Sequence, residues 1–302
     1  MIIAGEPSGD LQASRVAAEL KEIAPDLALF GMGGDLMAEA GVELIYHIRD
    51  SAVMGIGEVF TAIPAFLKKR EHLKHLIRTK RPDAVVLVDF GDFNMPLARF
   101  AHGLGIPVIY YIPPKAWAWR PNRAKKIAKT TTAVASIFPF AADFYREAGA
   151  NVEFVGHPLL DFARTDLSGA EARRVLGLGA DRPVLGLMPG SRRREVERLL
   201  PVMLEVTDQI HQAVPDCQFV LPLAPGIDSG RCQRCRWSGR EIVPELLQNQ
   251  VTTKRITPIA LELLQNPEKR EAQQETLRWV YEQLGEPGAA KRTAQLILSH
   301  IQ

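Results

Sequence analysis

Along the first half of the chain, short apolar runs rich in β-branched residues alternate with longer amphipathic or charged runs. They read "MIIAG" then 10–23, "LALFGMGG" then 34–41, "DAVVLVDFG" then 94–103, "PVIYYIPP" then 121–129, and "TTAVASIFPF" then 140–148, before "VEFVG". A strand that is apolar at every position is buried on both faces, so helices must cover both sides of a parallel sheet. A doubly wound α/β domain is therefore expected over residues 1–160. Its first strand, Met1 to Ile3 ahead of Ala4-Gly5, is shorter than the usual run of about five or six residues, which points to a start upstream.

A connector, "GHPLLDFARTDLSGAEARR", leads into a second α/β pattern: strand "PVLGLMPG", a helix over 193–214, and strand "CQFVLPLA". Beyond Pro225 only helical patterns follow. Two parallel strands are too few to bury the faces of an open sheet, so residues 161–302 read as a second Rossmann-like domain that is incomplete. The join, "DSGRCQRCRWSGR" at 228–240, carries a single Cys-x-x-Cys pair and four Arg. Zinc needs four such ligands, and nucleic acid a broader basic face. A deletion join or a short out-of-frame readout accounts better for its composition.

Composition narrows the classes. Hydrophobic residues make up 46% and charged residues 24% of the 302, with a net charge of +2; this is a soluble globular balance with no electrostatic case for a nucleic-acid partner. Three cysteines are no disulfide framework, the start has no apolar secretory core, and no window approaches the roughly 20 apolar residues of a membrane span. The expectation is a cytoplasmic protein with at most a surface attachment to membrane.

Five stretches carry candidate chemistry. "AGEPSGD" (4–10) lies between the first strand and first helix; Gly5 and Gly9 permit close backbone approach, and Ser8 or Asp10 could cap a helix beginning near Leu11. A tight turn before a capped helix is the plainer reading, while Glu6 favours sugar hydroxyls over phosphate. "VDFGDFN" (88–94) ends the strongest strand with Asp89 and Asp92, one a candidate general base, or both helix caps, with Asn94 able to serve either way. "YYIPPKAWAWRPNRAKKIAK" (110–129) sets Trp117, Trp119 and Arg120 as a platform for a sugar or anionic head group, ahead of a basic run that reads as a solvated helix face. "LMPGSRRREVERLL" (187–200) places Gly190, Ser191 and Arg192 at a helix start, a ready site for a diphosphate. Over 58–81, Val59, Ile63, Phe66, Leu73 and Ile77 form an ordinary core stripe, and Phe60 and Leu67 lie beside it near dense Lys and Arg, as a membrane-surface contact requires.

Together "AGEPSGD", "AVMGIGEV", "DFGDFN", "YYIPPKAWAWR", "FVGHPLLD", "LMPGSRRREVERLLP" and "IVPELLQ" resemble lipid-A-disaccharide synthase, a glycosyltransferase family of the two-Rossmann-domain (GT-B) type. The resemblance runs from residue 2 to about 224 and resumes near 241. It implies transfer of 2,3-diacylglucosamine from its UDP derivative onto 2,3-diacylglucosamine 1-phosphate, with no metal or other cofactor, by an enzyme peripheral on the cytoplasmic face of the inner membrane. By the same resemblance Asp89 is the general base, with Glu6, Ser8, Asp92 and Asn94 as further active-site motif residues. Arg192, Gly190 and Ser191 face the UDP diphosphate, and Phe60, Ile63, Phe66 and Leu67 form the membrane and acyl patch. The family also carries several strands and helices, with donor-binding groups, where this chain has "APGIDSGRCQRCRWSGR". The alternative is a non-catalytic remnant that binds acylated sugar phosphate or membrane only.

Overall fold

The computed structural model describes residues 1–49, 59–119, 121–162, 165–190, 193–222, 236–237, 240–241, 246 and 250–301. The side chains of 59–65, 118–119, 193–194, 236–237 and 240–241 lie outside that description. Two compact units emerge: Met1–Arg164 with Leu284–Gln302, and Thr165–Gln283.

The first unit alternates β1 (Ile2–Ala4), α1 (Pro7–Ile23), β2 (Phe30–Gly33), α2 (Asp35–Glu39), β3 (Glu43–His47), α3 (Val59–Lys80), β4 (Val85–Val88), α4 (Gly91–Gly103), β5 (Val108–Tyr111), α5 (Ala116–Trp119), α6 (Asn122–Ala128), β6 (Ala133–Ser136), α7 (Pro139–Glu147) and β7 (Val152–Phe154). Its seven strands form one parallel sheet in the order β3-β2-β1-β4-β5-β6-β7. The chain therefore winds outward one way from β1 and then the other way from β4, as in a doubly wound fold.

The alternation of side chains explains the continuous apolar strands. Val86, Val88, Ile109, Tyr111, Ala133 and Ala135 point to one face, where α1 supplies Ala13, Val16 and Ala17. Val85, Leu87, Val108, Tyr110 and Val134 point to the other, under Leu73 and Ile77 of α3 and Phe93 and Leu97 of α4. Each such Val or Leu contributes about 1.5–3 kcal/mol of burial, so β4, buried at all four positions, anchors the sheet. The edge strand β3 does not appear in the sequence reading. Its Glu43 is exposed and its other positions only half-buried, so it lacks the apolar run that marks its neighbours.

The second unit holds α8 (Gly169–Val175), β8 (Val184–Gly186), α9 (Arg193–Ala213), β9 (Gln218–Val220), an antiparallel pair of short strands, β10 (Arg236–Trp237) and β11 (Arg240–Glu241), α10 (Thr253–Gln265) and α11 (Pro267–Glu282). Strands β8 and β9 pair in parallel. Val206, Ile210 and Cys217 are the buried centre of this unit among the described residues, with Leu185, Phe219, Ile256 and Leu261 packed around them. Ser168 and Glu171 close a reciprocal capping box at the start of α8.

The last helix, α12 (Ala289–Leu298), crosses back to the first unit, where Ala290, Ala294, Leu296 and Ile297 join the core beside α1. The sequence boundary placed all of 161–302 in one domain. The apolar stripe of α12 instead completes the face that α1 leaves partly covered.

Candidate active site at the carboxyl edge of the first sheet

The winding direction reverses between β1 and β4, and open α/β sheets bind ligands in the crevice beyond the carboxyl ends at such a point. Two candidate loops meet there. Ala4-Gly5-Glu6 leaves β1, and Asp89-Phe90-Gly91 leaves β4. Their contact is close: a Cβ on Gly5 would lie 2.0 Å from the Phe90 ring, so only glycine fits under that side chain.

Asp89 and Phe90 both adopt left-handed backbone, with φ of 47° and 50°, as does Ile112 at the end of β5 with φ of 56°. For non-glycine residues this costs on the order of 1–2 kcal/mol each, so surrounding bonds must enforce it. The Asp89 N–H donates to the Tyr111 carbonyl at 3.1 Å. The Asp89 carbonyl accepts from the Tyr110 hydroxyl and from Asn94 Nδ2, each at 2.8 Å. Phe90 C=O accepts from the N–H groups of Phe93 and Asn94 as α4 begins. Strand, tyrosine and asparagine together turn the Asp89 side chain to the edge. Burial raises its carboxyl pKa above the ordinary value, while a Phe90 backbone hydrogen bond and the Lys115 charge pull it back. A carboxylate held this way is a better proton acceptor than an exposed one.

The other expected residues divide. Asn94 is fully buried and its Nδ2 donates to the Val88 and Asp89 carbonyls, so its amide NH2 holds the Asp89 backbone. Asp92 is exposed and ion-pairs with Arg123 of α6, a residue that the sequence reading placed on a solvated face. Helix α4 has Phe90 at its N-cap with no side-chain cap, so neither Asp89 nor Asp92 caps it. Helix α1 begins at Pro7, earlier than expected, with a half-buried Glu6 at its N-cap and Ser8 exposed. Asp10 does not cap α1. It is buried and receives the N–H groups of Gly34, Leu36 and Met37 at 2.6, 3.3 and 3.2 Å, capping α2 across the sheet edge.

Phe66 packs edge-on against Phe93 at 4.6 Å and Phe90 at 5.6 Å, while Leu67 is 40% exposed. The side chains of Phe60, Ile63 and Trp119, and all of Arg120, Ser191, Arg192, Cys232 and Cys235, lie outside the described residues. In the second unit, Gly190 follows β8 with φ of 117°, and a Cβ there would meet the Glu195 carboxylate at 2.4 Å. Sequence reasoning missed Tyr110, Lys115 and His157. Tyr110 reads as one more apolar strand position, and Lys115 as solvent-facing charge.

His157 follows β7. Its Nδ1 accepts the Leu159 N–H at 3.2 Å, and burial holds its pKa below the ordinary histidine value. The neutral ring therefore carries its proton on Nε2. No described helix is long and apolar enough to cross a membrane. Among the described residues no group of three or more His, Cys, Asp or Glu is placed to hold a metal.

Comparison with known proteins supplies an independent line. The family model for lipid-A-disaccharide synthetase matches residues 1–230. The lipid-A-disaccharide synthase of Geobacter metallireducens is 44% identical over 244 residues, covering 80% of this chain and 64% of that protein. The one from Anaeromyxobacter sp. is 36% identical over 370 aligned positions, covering 99% and 96%. An alignment of 370 positions exceeds the 302 residues available, so gaps open within this chain. Against some of these relatives the match spans under two thirds of their length. Among solved structures, a UDP-GlcNAc 2-epimerase from Neisseria meningitidis, bound to UDP-GlcNAc, superposes with a TM-score of 0.55 at 10% identity, covering 96% of each chain. That likeness speaks to the two-Rossmann-domain fold alone.

Proposed function

The chain belongs to the lipid-A-disaccharide synthetase family, and from that premise we propose that it is an inverting glycosyltransferase of lipid A biosynthesis. It joins 2,3-diacylglucosamine, delivered as the UDP derivative, to 2,3-diacylglucosamine 1-phosphate. The 6-hydroxyl oxygen of the acceptor attacks the anomeric carbon as the bond to UDP breaks, and the hydroxyl proton passes to Asp89. One in-line displacement gives the β-1,6 linkage. The observation that carries this reading is the partly buried Asp89 carboxyl, raised in pKa and held at the switch point by Tyr110, Tyr111 and Asn94.

The remaining roles follow the motifs. Glu6, Ser8 and Asp92 surround the acceptor, with Trp119 and Arg120 nearby. Gly190, Ser191 and Arg192 at the start of α9 receive the UDP diphosphate, where helix N–H groups and a guanidinium stabilise the developing charge. Phe60, Ile63, Phe66 and Leu67 on α3 touch the membrane surface, placing the enzyme peripherally on the cytoplasmic face of the inner membrane; Phe66 also contacts Phe90 and Phe93.

Mass spectrometry of the two lipid substrates incubated with the purified chain should reveal the disaccharide 1-phosphate. Asp89→Asn should slow its formation by about 100-fold or more without unfolding the first unit. If the unaltered chain makes no disaccharide, the reading fails. Acceptor-lipid binding without UDP binding, measured by calorimetry, would then favour the non-catalytic remnant.

A further inference from the structure

The carboxyl edge does not end at Asp89. Beyond β5, β6 and β7 it carries a continuous row of rings. Trp117 meets Phe140 edge-on at 5.3 Å, Phe140 stacks on Phe138 at 5.4 Å, and Phe138 lies against the His157 ring at 5.0 Å. Three strand spacings, about 14 Å, separate Asp89 from the far end of this row. Lys115, whose charge reaches Asp89, stands two residues before Trp117, and Gly91 packs on Pro114. The row is thus continuous with the site.

Its surface is apolar where most sheet edges are polar. Phe140 is 37% and Leu159 45% exposed. At the end of the row the Leu159 N–H fixes the imidazole of His157, and the His157 N–H is itself tied to the Leu284 carbonyl at 2.9 Å. That leaves Nε2–H as an oriented, uncharged donor with no hydrogen-bond partner among the described residues. The nearby Arg292 guanidinium, which reaches Gly156, is already engaged by the Val155, Pro287 and Glu286 carbonyls. A neutral donor beside stacked rings suits a carbonyl oxygen attached to an aliphatic chain.

Resting on the proposed function, we infer that Trp117, Phe140, Phe138 and His157 form the subsite for an acyl group of the acceptor sugar. The rings receive the proximal methylenes, and His157 Nε2–H donates to the amide or ester carbonyl. Leu159 extends the apolar surface along the chain. The row would then distinguish acylated from unacylated amino sugar, leaving the proton transfer to Asp89.

The test is calorimetric titration of the full chain with 2,3-diacylglucosamine 1-phosphate in detergent micelles, and with glucosamine 1-phosphate, which has no acyl chain. Phe140→Ala should weaken the diacyl compound about 10-fold, equivalent to ~1.4 kcal/mol, and leave glucosamine 1-phosphate unchanged. His157→Phe keeps a ring but removes the donor and should lose about 5-fold on the diacyl compound; His157→Gln, which restores a neutral N–H, should recover most of it. If the unaltered chain prefers the diacyl compound and both Phe140→Ala and His157→Phe bind it equally well, the inference is overturned while the proposed function stands. If the unaltered chain does not bind the diacyl compound at all, both fall.

Discussion

The two units of this chain begin from the same local pattern and reach different ends. In the first, β4, β5 and β6 are buried at every position, because each has a strand on either side and helices above and below. In the second, β8 and β9 have one described partner each, and no position in either strand is fully buried. Val175, Leu176 and Met188 are 68%, 58% and 74% exposed there. Apolar strands are necessary for a doubly wound domain, but only enough neighbours make their burial complete.

Core truncation gives the sharpest form of that contrast. Leu87→Ala in the first unit should cost about 2–5 kcal/mol, whereas Leu185→Ala, at a half-buried position, should cost about 1 kcal/mol. Urea unfolding followed by probes specific to each unit separates the two, and equal losses would break the comparison. Next in size is Asp10→Ala, which strands the N–H groups of Gly34, just before α2, and of Leu36 and Met37 within it, and should destabilise the first unit by about 1–3 kcal/mol. A smaller loss, about 1 kcal/mol and confined to the second unit, is expected from Ser168→Ala, which opens the capping box of α8.

The smallest effect is a pH dependence. Burial raises the folded pKa of Asp89, so its ionisation opposes folding. The associated stability is fully present below the ordinary carboxylate pKa and is lost as pH rises through the raised folded value. Asp89→Asn removes that loss. Its thermal midpoint should match that of the unaltered chain near pH ~3 and exceed it by about 2 °C at neutrality, even as transfer activity collapses. A midpoint that falls at neutral pH would show that the carboxylate is satisfied within the fold and is not poised as a base.

Much of the first sheet was legible because central parallel strands declare themselves as unbroken apolar runs. Edge strand β3 did not, since its exposed first position permits Glu43 and half-burial permits His47. Asp89 was legible as a position at a strand end, but its left-handed backbone was not: nothing in Asp-Phe announces φ near +50°, and the bonds that impose it come from Tyr110 and Tyr111 on the next strand and from Asn94. Asp10 was misplaced for a similar reason. A carboxylate near a helix start suggests a local cap, and its true partners at Gly34, Leu36 and Met37 are neighbours only in space. The return of α12 is the clearest case, because an apolar stripe shows that a helix needs a partner without saying which.

That return also bears on the order of synthesis. Translation delivers the seven strands of the first sheet long before Ala290, Ala294 and Ile297, yet those residues fill its core beside Ala13, Val16 and Ala17. While the second unit is being made, the nascent first unit must wait with an apolar groove along α1, a surface that chaperones recognise. The first unit therefore completes its core only after the whole of the second has been made, even though nearly all of its own sequence leaves the ribosome first.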